Sequence, residues 1–165
     1  MAVLKDYPIL NRPQFNFIKD KIPHAFFNRK ISDLGCGDGC SSQRIKEAFK
    51  AKSIVGFEIN DYLIKRAKKR GLKVEKKDLE QYVPSGEMAT VWGVVHHLKE
   101  KKGFLQKIRH NFQYAVFNEP IKTFWAFLDG GLPMEEEKIR NLFTDALGNY
   151  QTMRFKNNIF IFWKK

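Results

Sequence analysis

Within a chain of 165 residues, Ile31 to Gly39 read I-S-D-L-G-C-G-D-G. Apolar residues and an aspartate, Asp33, run into glycines at every second position: Gly35, Gly37 and Gly39. A strand that breaks into glycines ahead of a helix brings bare backbone N–H groups up to a ligand, because no Cβ stands in the way. The next apolar run, Ser53 to Phe57, ends in Glu58. That is roughly 20 residues past the glycines, where α/β nucleotide sites place a carboxylate on ribose hydroxyls. Cys40 occupies the third glycine position of G-x-G-x-x-G. Together with a chain too short for a separate substrate domain, this argues against the oxidoreductase alternative and its nicotinamide dinucleotide.

Further along lie His96 and His97, where a strand-like run gives way to a helical one. An imidazole near neutrality makes a usable general base, and at such a junction it also serves as a packed or capping group. We assign the catalytic role to His96 and a substrate contact to His97. Glu119 and Trp125, in the aromatic and glycine-rich stretch up to Met134, follow a later strand. They lie on the edge where open α/β sheets bind ligands, so both are candidate substrate contacts. The aromatics of that stretch either close over a ligand or pack as an amphipathic helix.

Elements that would hold these residues alternate along the chain. A leading helix is expected over Asn11–Ile22, with Asn11 as cap and Pro13 in the first turn. Strands are expected at Ile31–Leu34, Ser53–Phe57, Leu72–Glu75, Ala89–Val95 and Tyr114–Phe117. Helices are expected at Ser41–Lys50, Asp61–Arg70, Lys99–Asn111 and Glu135–Leu147. The tail, Gln151–Phe155 and Ile159–Trp163 around Lys156-Asn157-Asn158, reads as a hairpin with an Asn at positive φ. The fold class is therefore α/β: a three-layer sandwich with a mostly parallel seven-stranded sheet, an antiparallel C-terminal hairpin strand and helices on both faces. We read residues 1–165 as one domain, with 1–29 a leading helical segment and 30–165 the core.

Fifteen Phe, five Tyr and three Trp supply ample apolar volume and exclude disorder. No run approaches the roughly 20 apolar residues that cross a bilayer, and the N-terminus lacks a secretory pattern, so a cytoplasmic protein without a membrane partner is expected. Cys36 and Cys40 imply neither a disulfide framework nor a four-ligand zinc site, and no metal is expected. Thirty basic against 18 acidic residues give a net charge of +12. That favours an anionic partner, RNA first, or reflects a Lys-rich solvated surface. The densest cluster, Lys65 to Arg70, is read as a solvated helix face with favourable C-terminal charge.

Four markers in order resemble the class I S-adenosylmethionine-dependent methyltransferases: D-L-G-C-G-D-G at Asp33–Gly39, the acid Glu58, K-D-L at Lys77–Leu79, and G-V-V-H-H-L at Gly93–Leu98. The resemblance implies S-adenosylmethionine as cofactor and methyl transfer to an N or O acceptor. It implies that Asp33 and the loop Gly35, Cys36, Gly37 and Gly39 hold the methionine end. Glu58 would take the ribose hydroxyls and Ile59 the adenine face; Asp78 would meet the exocyclic amine, with Leu79 covering the ring. Trp92 and Gly93 would line the pocket beside the sulfonium. The Asn/Asp-Pro-Pro-aromatic stretch of many amide and base-amine methyltransferases is replaced by Val94-Val95-His96-His97, and no cysteine nucleophile follows the fourth strand. Small molecules, protein side chains and other RNA positions stay open as acceptors. The non-enzyme alternative is an RNA- or protein-binding module on the same fold.

Overall fold

The computed structural model describes residues 7–122 and 132–165. Helix α1 spans Tyr7–Ile18, followed by β1 (Lys30–Leu34), α2 (Cys40–Ala48), β2 (Ser53–Glu58), α3 (Asp61–Lys69), β3 (Lys73–Lys76) and β4 (Met88–Trp92). A 3-10 turn at Val95–His97 leads into α4 (Lys101–Asn111), β5 (Tyr114–Pro120), α5 (Glu136–Leu147), β6 (Gln151–Phe155) and β7 (Asn158–Lys164). The strands form one seven-stranded sheet in the order β3-β2-β1-β4-β5-β7-β6. All pairs are parallel except those of β7 with β5 and with β6. The reversal of order between β1 and β4 opens the crevice at the carboxyl ends of the strands where ligands bind in such sheets.

Period-two alternation sorts side chains between the faces. Leu34, Val91, Phe117 and Ile161 join Phe104, Ile108, Ile139 and Phe143 of α4 and α5 in one core. Ile31, Met88, Val116, Phe160 and Phe162 join Phe15 and Ile18 of α1 and Ile45 of α2 in another. Ile64 and Ala67 of α3 make a smaller cluster with Cys36, Leu72 and Val74, against which Ile54 of β2 packs. Asn60 starts α3, its side chain accepting the N–H groups of Tyr62 and Leu63. Among the described residues no helix is long and apolar enough to cross a membrane.

The expected strands and helices recur with shifted ends. Helix α1 begins at Tyr7 and ends at Ile18, so Pro13 lies inside it and not in its first turn. Strand β4 stops at Trp92 because Gly93 takes φ +66, and Val95 enters the 3-10 turn. Strand β5 runs on to Pro120 because β7 pairs with it along its whole length, which brings Asn118 and Glu119 into the sheet. In the terminal hairpin the positive φ falls on Lys156, at +52, and not on an asparagine.

Candidate active site

The glycine loop after β1 takes left-handed backbone at all three alternating glycines, with φ of +76, +56 and +80 at Gly35, Gly37 and Gly39. A Cβ on Gly35 would lie 2.5 Å from Val94 Cγ2, so here the loop abuts the segment after β4. A Cβ on Gly37 would meet nothing within 4 Å; this is the point where the loop borders open space. Gly35 and Cys36 donate their N–H groups to the Phe57 carbonyl, which ties the loop to the end of β2. Asp38 is held by the Cys40 N–H and by Arg66 of α3 and Arg70 just past its end, at 3.2 and 3.1 Å. The densest basic cluster thus turns two of its guanidinium groups inward onto the loop.

Asp33 is 1% exposed, beneath the loop. Its carboxylate accepts hydrogen bonds from Ser42 Oγ at 2.5 Å and Thr90 Oγ1 at 2.7 Å. Burial raises its pKa to about 6, against the lowering by those two hydroxyls. The carboxylate ties β1 to α2 and to β4. Cys36 is likewise buried, its sulfur filling the space left by Gly56, and burial pushes its thiol far above the ordinary range.

Glu58 closes β2 at the crevice. Its Oε2 accepts the Gly37 N–H at 3.0 Å, and its Oε1 accepts the N–H groups of Ile59 and Asn60 at 2.8 and 2.9 Å. A carboxylate offers roughly four acceptor positions, so capacity remains for a hydroxyl. Beside it Ile59 and Tyr62 are 54% and 56% exposed, an apolar shelf of the kind a planar base would cover. Asp78 is partly buried, with Oδ1 on the Glu80 N–H. Leu79 is 8% exposed and packs into the α4/α5 core.

At the ends of β4 and β5 the other half of the crevice is built by side chains. Glu119 is 0% exposed and points to the α4/α5 side. Its carboxylate accepts the N–H groups of Val94, Val95 and His96 at 3.1, 2.9 and 3.2 Å, and the His96 Nδ1–H at 2.9 Å. These four bonds leave no room for a substrate contact, so that expectation is corrected: Glu119 clamps the turn that carries His96. Facing a carboxylate, Nδ1 is the donor of this pair. His96 is 2% exposed; His97 is exposed, with ring centroids 4.0 Å apart. Trp92 stacks on Phe15 of α1 at 4.7 Å and 5°, and meets Phe160 edge-on. Trp125 lies outside the described residues.

The fold thus brings Asp33, the glycine loop, Glu58, Trp92, Gly93 and His96 to one end of the sheet. Sequence reasoning missed Ser42, Thr90, the arginine pair and Asn118. Only Arg66 and Arg70, at helical i, i+4 spacing, carried a readable signal. No cluster of metal-ligating side chains occurs among the described residues. The bare crevice at Gly37, the spare acceptor on Glu58 and the apolar shelf at Ile59 fit a nucleoside with a zwitterionic tail.

Residues 32–112 match the family model described as a methyltransferase domain. A stretch of 54 residues is 41% identical to trans-aconitate 2-methyltransferase of Sinorhizobium fredii, covering 32% of this chain and 21% of that enzyme. The chain therefore spans about a fifth of that relative's length in the match. Magnesium protoporphyrin IX methyltransferase from Synechocystis, solved with bound SAH, superposes with TM-score 0.69 at 12% identity over 96% of this chain and 83% of that one. Human N-acetylserotonin methyltransferase, in complex with SAM, gives TM-score 0.76 at 14% identity over 96% and 53%. A methyltransferase from Mesorhizobium loti gives 0.69 at 13% over 94% and 97%. Just under half of the chain thus matches a methyltransferase domain, and the solved methyltransferases share its fold.

Proposed function

We propose that the protein transfers a methyl group from S-adenosylmethionine to an N or O acceptor. The observation that carries this reading is the link between Gly37 and Glu58: one hydrogen bond joins the bare loop to the acid at the end of β2. Both sides of the crevice are fixed by it before any ligand arrives. The cofactor supplies an already activated methyl on a sulfonium, so the chain's task is alignment.

In this reading the loop amides hold the cofactor's methionine end and Glu58 its ribose, while Asp33 ties β1 to α2 and β4. Ile59 and Tyr62 cover the base, and Asp78 and the Leu79 backbone meet its edge. His96, oriented by Glu119, is the group placed to take the proton that an acceptor hydroxyl or amine gives up. RNA as acceptor is supported by the net charge alone. Arg66 and Arg70 are drawn onto Asp38 and Lys76 onto Asp61, which weakens α3 as a phosphate-binding face. A small molecule is therefore the preferred acceptor. The free thiols of Cys36 and Cys40 suit a reducing, cytoplasmic setting.

Calorimetry tests the reading. S-adenosylhomocysteine should bind the wild type, and Glu58→Ala should weaken it at least tenfold. No binding by the wild type would refute the assignment. Polyuridine binding across a salt series tests the acceptor: a steep decline with salt would restore RNA.

A further inference from the structure

Among the described residues, three buried side-chain polar atoms have no hydrogen-bond partner: Arg44 Nη1, Trp92 Nε1 and Asn118 Oδ1. Two of these belong together. Trp92 and Asn118 are register partners at the carboxyl ends of β4 and β5, and Asn118 in turn faces Phe160 across the β5/β7 pair. All three side chains therefore share the α1 face of the sheet, at the edge where ligands bind. Asn118 is only 3% exposed. Leaving a buried donor and a buried acceptor unpaired side by side costs roughly 1–3 kcal/mol each, and native proteins concentrate such exceptions at functional positions.

What covers them is informative. Helix α1 lays Phe15 flat on the Trp92 ring and sets the Gln14 side-chain oxygen 2.8 Å from Asn118 Nδ2. Two consecutive residues thus present an aromatic ring and an adjacent planar polar group to this edge. Yet they leave the indole N–H and the amide oxygen unmet. A hydroxyl is the group that satisfies both at once, accepting from Trp92 Nε1–H and donating to Asn118 Oδ1. A carboxylate would face Oδ1 with no proton to give.

Resting on the methyltransferase reading, we propose that Trp92 and Asn118 form the polar end of an acceptor subsite for a ring-borne hydroxyl, which Gln14 and Phe15 of α1 occupy in its absence. The acceptor is then a phenol-like small molecule. Its ring takes the place of Phe15 on Trp92, and its hydroxyl takes up the two unpaired atoms.

The full chain, labelled with nitrogen-15 and saturated with S-adenosylhomocysteine, is titrated with 2-naphthol, its methyl ether and 2-naphthoate. 2-Naphthol should move the Trp92 indole N–H resonance and bind about tenfold tighter than the ether, which cannot donate to Asn118. Asn118→Leu should erase that preference while S-adenosylhomocysteine affinity stays within twofold. Should Asn118→Leu fail to fold, Gln14→Ala and Phe15→Ala carry the test, each tightening 2-naphthol severalfold by emptying the subsite. Equal binding of naphthol and ether, an unmoved indole resonance, or tighter binding of naphthoate would overturn the proposal. Loss of S-adenosylhomocysteine binding by the wild type would instead strike the underlying function, so the two failures are separable.

Discussion

Glu58 and Glu119 stand at the carboxyl ends of β2 and β5, and each accepts three backbone N–H groups. The resemblance ends there. Glu58 reaches across to the glycine loop, keeps acceptor capacity and sits beside an exposed apolar shelf. Glu119 is fully enclosed, and His96 takes its last position. One carboxylate keeps acceptor capacity at the crevice, the other spends all of its capacity on the protein. The comparison shows that a strand-end acid is assigned by its remaining hydrogen-bonding capacity, not by its place in the topology.

Removing Glu119 should therefore produce the largest effect on stability. Glu119→Ala removes the acceptor of three buried N–H groups and of the His96 ring nitrogen, at a cost of about 3–5 kcal/mol. Urea denaturation should show the midpoint drop, with Glu119→Gln in between. Next comes Gly37→Val, whose side chain is strained at φ +56 and projects into the crevice. Calorimetry should find S-adenosylhomocysteine binding abolished, with stability lowered by only about 1–2 kcal/mol. Glu58→Ala should reverse the pattern of Glu119→Ala, weakening cofactor binding more than folding. Equal stability losses at the two glutamates would break the contrast drawn above.

A subtler test concerns Asp33, whose folded-state pKa of about 6 lies above its unfolded value. The folded state then binds its proton more tightly than the unfolded chain. This group's contribution to stability is full below about pH 4 and declines as pH rises to about 6, by roughly 2–3 kcal/mol in all. Subtracting the Asp33→Asn profile from the wild-type profile should expose that decline. A difference that is flat between pH 4 and 7 would show that the two hydroxyls offset burial completely.

The glycine loop was legible in the sequence because its chemistry lies in the backbone, and glycine spacing reports backbone directly. The mostly parallel sheet followed from the alternation of elements, and its antiparallel strand from the terminal hairpin. The β4/β5 end was read less well. Nothing local marks Asn118 as the residue that meets Gln14, since the two are 104 positions apart. Glu119 was visible as a candidate, but its saturation by Val94, Val95 and His96 depends on how far β5 extends. That extension comes from pairing with β7, which no local pattern announces. The arginines of α3 read as a solvated face because Asp38 lies outside their helix.

The placement of β7 has a consequence for how the molecule is made. Residues 158–164 follow every other strand in the chain, yet they fill the interior slot between β5 and β6 and bury Phe160, Ile161, Phe162 and Trp163. Until the ribosome has delivered them, β5 presents an unpaired edge and a greasy flank. Without residues 158–164 that edge would lie open to chaperones and proteases, and β5 would lose the pairing that extends it to the clamp on His96.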